Sequence, residues 1–144
     1  MSKKSEAKHT ALLTVLRNAS FLIESGWVQH EAAVTESGAR CTTIDPEACR
    51  WCITGAVSRA VHSYCQNAKD GDHRLSSFAA SMERTARILI RETIARRCPS
   101  KPSVPVWNDA TFRTQDECVS VIRETIDHVD EALENSRLSF LELS

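Results

Sequence analysis

The stretch DPEACRWCITGAVSRAVHSY, residues 45–64, decides how the chain is read. Asp45-Pro46-Glu47 has the form of a helix start: the aspartate can cap, proline suits the first helical position, and a glutamate complements the N-terminal dipole. From there Cys49, Cys52, Ile53, Ala56, Val57, Ala60, Val61 and Tyr64 recur mostly at three- and four-residue spacing. One apolar stripe of this kind predicts a helix that ends near Asn67 and serves as the central element. Gly55 falls inside it, where glycine costs about 1 kcal/mol against alanine, so a neighbouring element is expected to approach closely there. Cys49-Arg50-Trp51-Cys52, with His62 and Cys65, supplies metal-ligand residue types. On one helix, however, Cys52 and His62 stand about 15 Å apart. One tetrahedral ion cannot hold both, and the expectation is a buried cysteine stripe with no metal and no cofactor.

Upstream, Leu12, Val15, Leu16, Ala19, Leu22 and Ile23 form the stripe of a first helix over residues 5–25, with Gly26 as its C-terminal glycine. Residues 27–43 carry no helical stripe. The alternation there, the Glu36-Ser37-Gly38 turn and the β-favouring run Cys41-Thr42-Thr43-Ile44 predict a short β-hairpin or ordered loop. Downstream, Lys69-Asp70-Gly71-Asp72 reads as a polar turn. A third helix is predicted over 76–97, with Phe78, Ala79, Met82, Ala86, Leu89, Ile90 and Ile94 inward. Pro99, Pro102 and Pro105 predict an extended linker. Thr114-Gln115-Asp116-Glu117 is a capping box. It opens a fourth helix to about Glu134, with Cys118, Val119, Ile122, Ile126, Val129 and Leu133 inward. The expected fold is a mainly α, single-domain bundle of about four helices over residues 1–144, with 1–9 and 135–144 as peripheral tails. The apolar end, Leu138 to Leu143, suggests a homodimer contact or a clasp over the chain's own core.

Composition narrows the function classes. The chain has 144 residues, with 18 Lys and Arg against 19 Asp and Glu, for a formal net charge of −1. That balance argues against coating nucleic acid or anionic membrane by bulk charge. Four Gly and four Pro leave little loop and favour helix. No signal peptide and no membrane-spanning run is readable, so the expectation is a cytoplasmic protein with six reduced thiols. The charge is nonetheless segregated. Residues 74–101 carry +5, and residues 109–144 carry −6.

Three sets of candidate residues follow. Gln29, Asn108 and Asp109 could frame a polar pocket walled by Trp27, Trp51 and Trp107, with Cys52 nearby. Asp109 could act there as a carboxylate base, with His30 or His62 as its partner. The plainer alternative is that Asp109 is a cap or turn former and that the three tryptophans fill the core. Arg84, Arg87 and Arg91 lie at i, i+3 and i+7 on one helical face and could grip phosphates, or be a solvated face. No aromatic residues interleave there to stack bases. Glu124, Asp127, Asp130 and Glu131 form an opposed acidic face that could pair with the third helix or meet a basic partner. No Gly-rich phosphate loop, GxSxG or HExxH occurs.

Read together, Gly26-Trp27-Val28-Gln29, Arg50-Trp51-Cys52-Ile53-Thr54-Gly55-Ala56 and Trp107-Asn108-Asp109 with Arg113-Thr114 and Glu117 resemble a family of small uncharacterised bacterial and phage proteins. Its members show GWxQ, WCxxGA and WNDxxxRTxxE motifs in this order, over about residues 10–130. His30 stands where such proteins carry glycine after the Gln, and Cys118 replaces the usual Val after the final Glu. The resemblance brings no assigned activity. It implies a mobile-element setting, hence the host-cell cytoplasm if phage-encoded, and a role in host takeover or defence evasion. The leading expectation is therefore a non-enzymatic protein that binds a host or defence-system protein, as anti-CRISPR inhibitors do. A small enzyme or ligand-binding protein using Trp27, Gln29, Trp51, Cys52, Trp107, Asn108, Asp109 and Arg113 is the alternative. Nucleic-acid binding by helix three is the second alternative.

Overall fold

The computed structural model describes residues 2–67 and 74–143. The chain runs α1 (Lys3–Ser25), β1 (Ala33–Val34), β2 (Arg50–Trp51), α2 (Ile53–Asn67), α3 (Arg74–Arg97), α4 (Val104–Asn108) and α5 (Gln115–Leu143). It is a mainly α bundle with one small antiparallel sheet, in which Ala33 pairs with Trp51 and Val34 with Arg50. The expected turn at 69–72 lies outside the described residues. No helix among them is long and apolar enough to cross a membrane.

α1 is the central element, in place of the second helix. It packs against α2, α3, α5 and β2. Ala11, Leu12, Leu13, Val15, Leu16, Ala19, Ser20 and Ile23 are all buried, a stripe wide enough to meet neighbours on both sides. It also starts earlier than expected, at Lys3, because Ser2 caps it through the Ser5 N–H. The N-terminal tail is thus largely its first turns. At the other end the expected tail continues α5 to Leu143, and Arg137 pairs with Glu6 of α1.

The second helix begins at Ile53, seven residues after Pro46. Asp45 does cap, but it caps a turn: its carboxylate accepts from the Glu47 N–H at 2.8 Å and its carbonyl from the Ala48 N–H at 3.0 Å. The chain then extends through Arg50–Trp51 to pair with β1, so Cys49 and Cys52 share no helical stripe with His62 and Cys65. Among the described residues, no three His, Cys, Asp or Glu side chains come together to hold a metal ion. Cys52 takes the capping position. Its thiol accepts from the Gly55 N–H at 3.3 Å and its carbonyl from the Ala56 N–H at 2.8 Å.

Gly55 sits against the backbone of the strand region as expected. A Cβ there would lie 2.0 Å from the Ala32 carbonyl oxygen. Gly26 caps the end of α1 as predicted, its N–H donating to the Leu22 carbonyl, and it also permits a close approach. Its backbone is extended (φ −176°), and a Cβ would lie 2.2 Å from the Cys49 carbonyl oxygen. The proline linker is also shorter than expected. Ser103 caps α4, and Pro105 occupies its second position, where no intrahelical N–H is required. The capping box opens α5 as predicted: the Glu117 carboxylate accepts from the Thr114 N–H at 3.0 Å, and the Glu117 N–H donates to the Thr114 hydroxyl at 3.2 Å.

Candidate functional site

Trp107, Asn108 and Asp109 sit at the end of α4, pressed between the 26–30 segment, the start of α2 and the start of α5. Asn108 is fully buried. Its carbonyl oxygen accepts from the Trp27 indole N–H at 3.0 Å and from the Ile53 N–H at 3.1 Å. Its amide donates to the Val28 carbonyl at 3.2 Å and to the Asp109 carboxylate at 2.9 Å. Two acceptor positions and two donors are all an asparagine side chain has, so this one is saturated by the protein. Ile53 is the first residue of α2, and Asn108 therefore supplies a helix cap from 55 residues away.

The other motif residues cap helix ends in the same way. Gln29 donates to the Asn108 and Ala110 carbonyls at 3.0 and 2.9 Å, closing the end of α4. Arg113 donates to the Trp107 carbonyl at 2.8 Å and to Glu117 at 2.9 Å, with its guanidinium 3.7 Å from the Trp107 ring centre. Gln115 donates to the Ile23 and Glu24 carbonyls at the end of α1. Trp51 donates to the Thr43 carbonyl at 3.2 Å. The three tryptophans thus act as packing, with the Trp27 and Trp51 N–H groups bonded within the chain. Trp51 and Trp107 are buried and Trp27 is half-buried.

Asp109 meets His30, through the His30 N–H at 2.8 Å and more loosely through the ring at 3.8 Å. His62 lies apart, on α2. His30 has φ 71°, the left-handed region that favours glycine, so a glycine would be less strained at this place. Cys118 reaches Asn108 at 3.9 Å, but burial pushes its thiol up to about 12, so it stays protonated at neutral pH and is a poor nucleophile. Burial also acts against ionisation of Glu117, yet bonds from Thr114 and the Arg113 guanidinium outweigh it and hold this carboxyl below its ordinary value.

The charged faces are disposed differently from one another. Arg84, Arg87 and Arg91 are exposed, and none makes an ion pair or hydrogen bond among the described residues. Thr93 is an α3 residue that faces α5, sharing a 2.7 Å hydrogen bond with Thr125. At 100° per residue, Arg84 and Arg91 lie about 180° and 160° around α3 from it. The basic stripe therefore points away from α5. The acidic set is partly consumed within the fold: Glu124 pairs with Arg97 at 3.2 Å and Asp130 with Arg17 at 3.6 Å. Asp127 and Glu131 remain exposed. The Thr93–Thr125 pair was not singled out in the sequence; its signal is a threonine at a core-facing position of each helix.

The chain belongs to a family of unknown function, DUF6197, whose model matches residues 7–128. No curated protein and no solved structure matches the chain.

Proposed function

We propose that this DUF6197 protein acts by binding an acidic surface of another protein through the outer face of α3. The observation that carries the reading is the set Arg84, Arg87 and Arg91, exposed and unpaired, with the half-exposed Ile88 beside them. Arginine next to an aliphatic contact is the composition of a protein interface, because the guanidinium supplies directed donors and the apolar side chain supplies desolvated area. An apolar residue on the stripe favours a protein over a phosphate backbone. The WND centre supports this reading by what it withholds: the side chains of Asn108, Gln29 and Arg113 are occupied in capping helices. The proposed partner is a host or defence-system protein in the cytoplasm, bound to inhibitory effect in the anti-CRISPR manner. The exposed Asp127 and Glu131 give the complex a second, weaker contact, and the half-exposed Leu138 is the tail residue open to a homodimer.

The test is capture from host lysate, with and without nuclease treatment, by the full chain and by an Arg84→Glu/Arg87→Glu/Arg91→Glu variant, with quantitative mass spectrometry. The expected result is an acidic protein retained by the wild type and lost by the variant, with unchanged circular dichroism. An unchanged set of captured proteins refutes the proposal. So does capture that disappears on nuclease treatment alone, which assigns the stripe to nucleic acid.

A further inference from the structure

A cavity of about 390 Å³ lies between the first turns of α1, the length of α3 and the middle of α5. It is within the range of small-molecule sites, roughly 300–1,000 Å³. Leu12, Phe78, Met82, Leu89 and Val129 give it apolar walls. Phe78 and Thr93 both line it, fifteen residues apart on α3, which is about 22 Å of helix. Lining that runs this far along one helix makes an elongated slot, a shape that suits an extended chain.

Its polar groups are distributed unevenly in kind. Thr93 and Thr125 line it with hydroxyls already engaged: each can reach the carbonyl four residues back, at 3.1 and 2.8 Å, and they share the 2.7 Å bond between them. Two hydroxyl protons serve those three contacts, so no free donor is left for a ligand. Among the described residues, the ionisable lining residues are Lys8, His9 and His128, with no Asp or Glu. His9 places Nδ1 2.9 Å from the Ser5 carbonyl, so that nitrogen donates, and Nε2 donates to an anion only when the ring is the imidazolium.

We propose that this slot binds a single-chain amphiphile with an anionic head, of the fatty-acid class. The chain would lie along α3 over Met82 and Leu89. The carboxylate would lie toward Lys8 and His9, with the charge complement supplied by the Lys8 ammonium and by His9 in its imidazolium form. The inference is independent of the α3 outer face, since Thr93 and Arg84 lie on opposite sides of that helix.

The test is isothermal calorimetry of the full chain with dodecanoate, dodecanol and dodecyltrimethylammonium, each below its micelle concentration. The expected result is one dodecanoate per chain at micromolar affinity, dodecanol at least tenfold weaker, and no binding of the cation. Ala132→Phe, a substitution at an exposed position that lines the slot, is expected to weaken dodecanoate at least tenfold with unchanged circular dichroism. Lys8→Gln with His9→Gln is expected to bring dodecanoate down to the affinity of dodecanol. A free acid and a membrane lipid share this chemistry, so sedimentation with phosphatidylglycerol vesicles distinguishes them, and the protein is expected in the supernatant. No binding of dodecanoate, equal binding of all three probes, or full binding by Ala132→Phe overturns the proposal. Pelleting with the vesicles overturns the free-acid form of it.

Discussion

Replacing Asn108 by alanine removes four hydrogen bonds at once and strands two donors, the Ile53 N–H and the Trp27 indole N–H. Each buried donor left without a partner costs about 1–3 kcal/mol, so the pair costs roughly 2–6 kcal/mol. Against a typical total of about 5–15 kcal/mol, that is a large share of the stability. With a urea slope of about 2 kcal/mol per molar, the unfolding midpoint should fall by about 2 M. Asn108→Asp tests the geometry more sharply. It keeps the accepting oxygen but sets a second oxygen against the Val28 carbonyl and the Asp109 carboxylate, at positions where the wild type has a donor. At pH 7 it should destabilise at least as much as alanine. Burial and Asp109 both raise the new carboxyl's pKa above its unfolded value. The charged form is the damaging one, so the gap to wild type should narrow as the pH falls through that raised pKa. Urea unfolding followed by tryptophan fluorescence at pH 7 and pH 5 measures both effects. A cost below about 1 kcal/mol for alanine, or an aspartate variant as stable as wild type at pH 7, refutes the capping role.

Gly55→Ala should lose about 1–3 kcal/mol in thermal unfolding despite the better helix former, because its Cβ meets the Ala32 carbonyl oxygen. His30→Gly should gain up to about 1 kcal/mol by relieving the positive φ, while the backbone N–H still reaches Asp109. Glu117, whose folded pKa is depressed, adds stability that is full above its unfolded pKa and fades as pH falls through the folded one. The stability gap between wild type and Glu117→Gln should therefore be widest near pH 7 and close in acid unfolding series. Cys118 should resist iodoacetamide at pH 8 in the native protein and react once urea unfolds it, as mass spectrometry of the alkylated peptides would show.

The helices were legible wherever an apolar stripe and its cap are contiguous in sequence. α3 carries seven stripe positions in a row of turns, and α5 opens on a capping box whose partners are three residues apart. The start of α2 was not legible, because Asp-Pro-Glu signals a turn as readily as a helix. The choice was made by pairing with β1 and by the close approach at Gly26, both remote in sequence. The real cap, Cys52, is a residue type with little capping signal. At the candidate site the members were visible as motifs, but their role was not. Whether Asn108 faces a ligand or its own chain depends on where Trp27, Val28 and Ile53 lie, and no local pattern encodes that. The unpaired basic face was visible in part: spacing put Arg84, Arg87 and Arg91 on one side, while only packing revealed that this side turns away from α5.

The long-distance cap on α2 also sets the order of events during synthesis. Ile53 leaves the ribosome 55 residues before Asn108 does. At about 5–20 residues per second, that is a delay of roughly 3–11 s during which the Ile53 N–H lacks its native partner. Trp27 and Gln29 wait longer, since their bonds to the same segment span 79 to 81 positions, and closing so long a loop costs several kcal/mol of chain entropy, about 4 by the logarithmic rule. The nascent N-terminal half can form α1 and collapse its stripe, but it carries an open seam until residues 104–118 arrive. Translation speed over that window, and any chaperone that shields the seam, should therefore affect the yield of native protein.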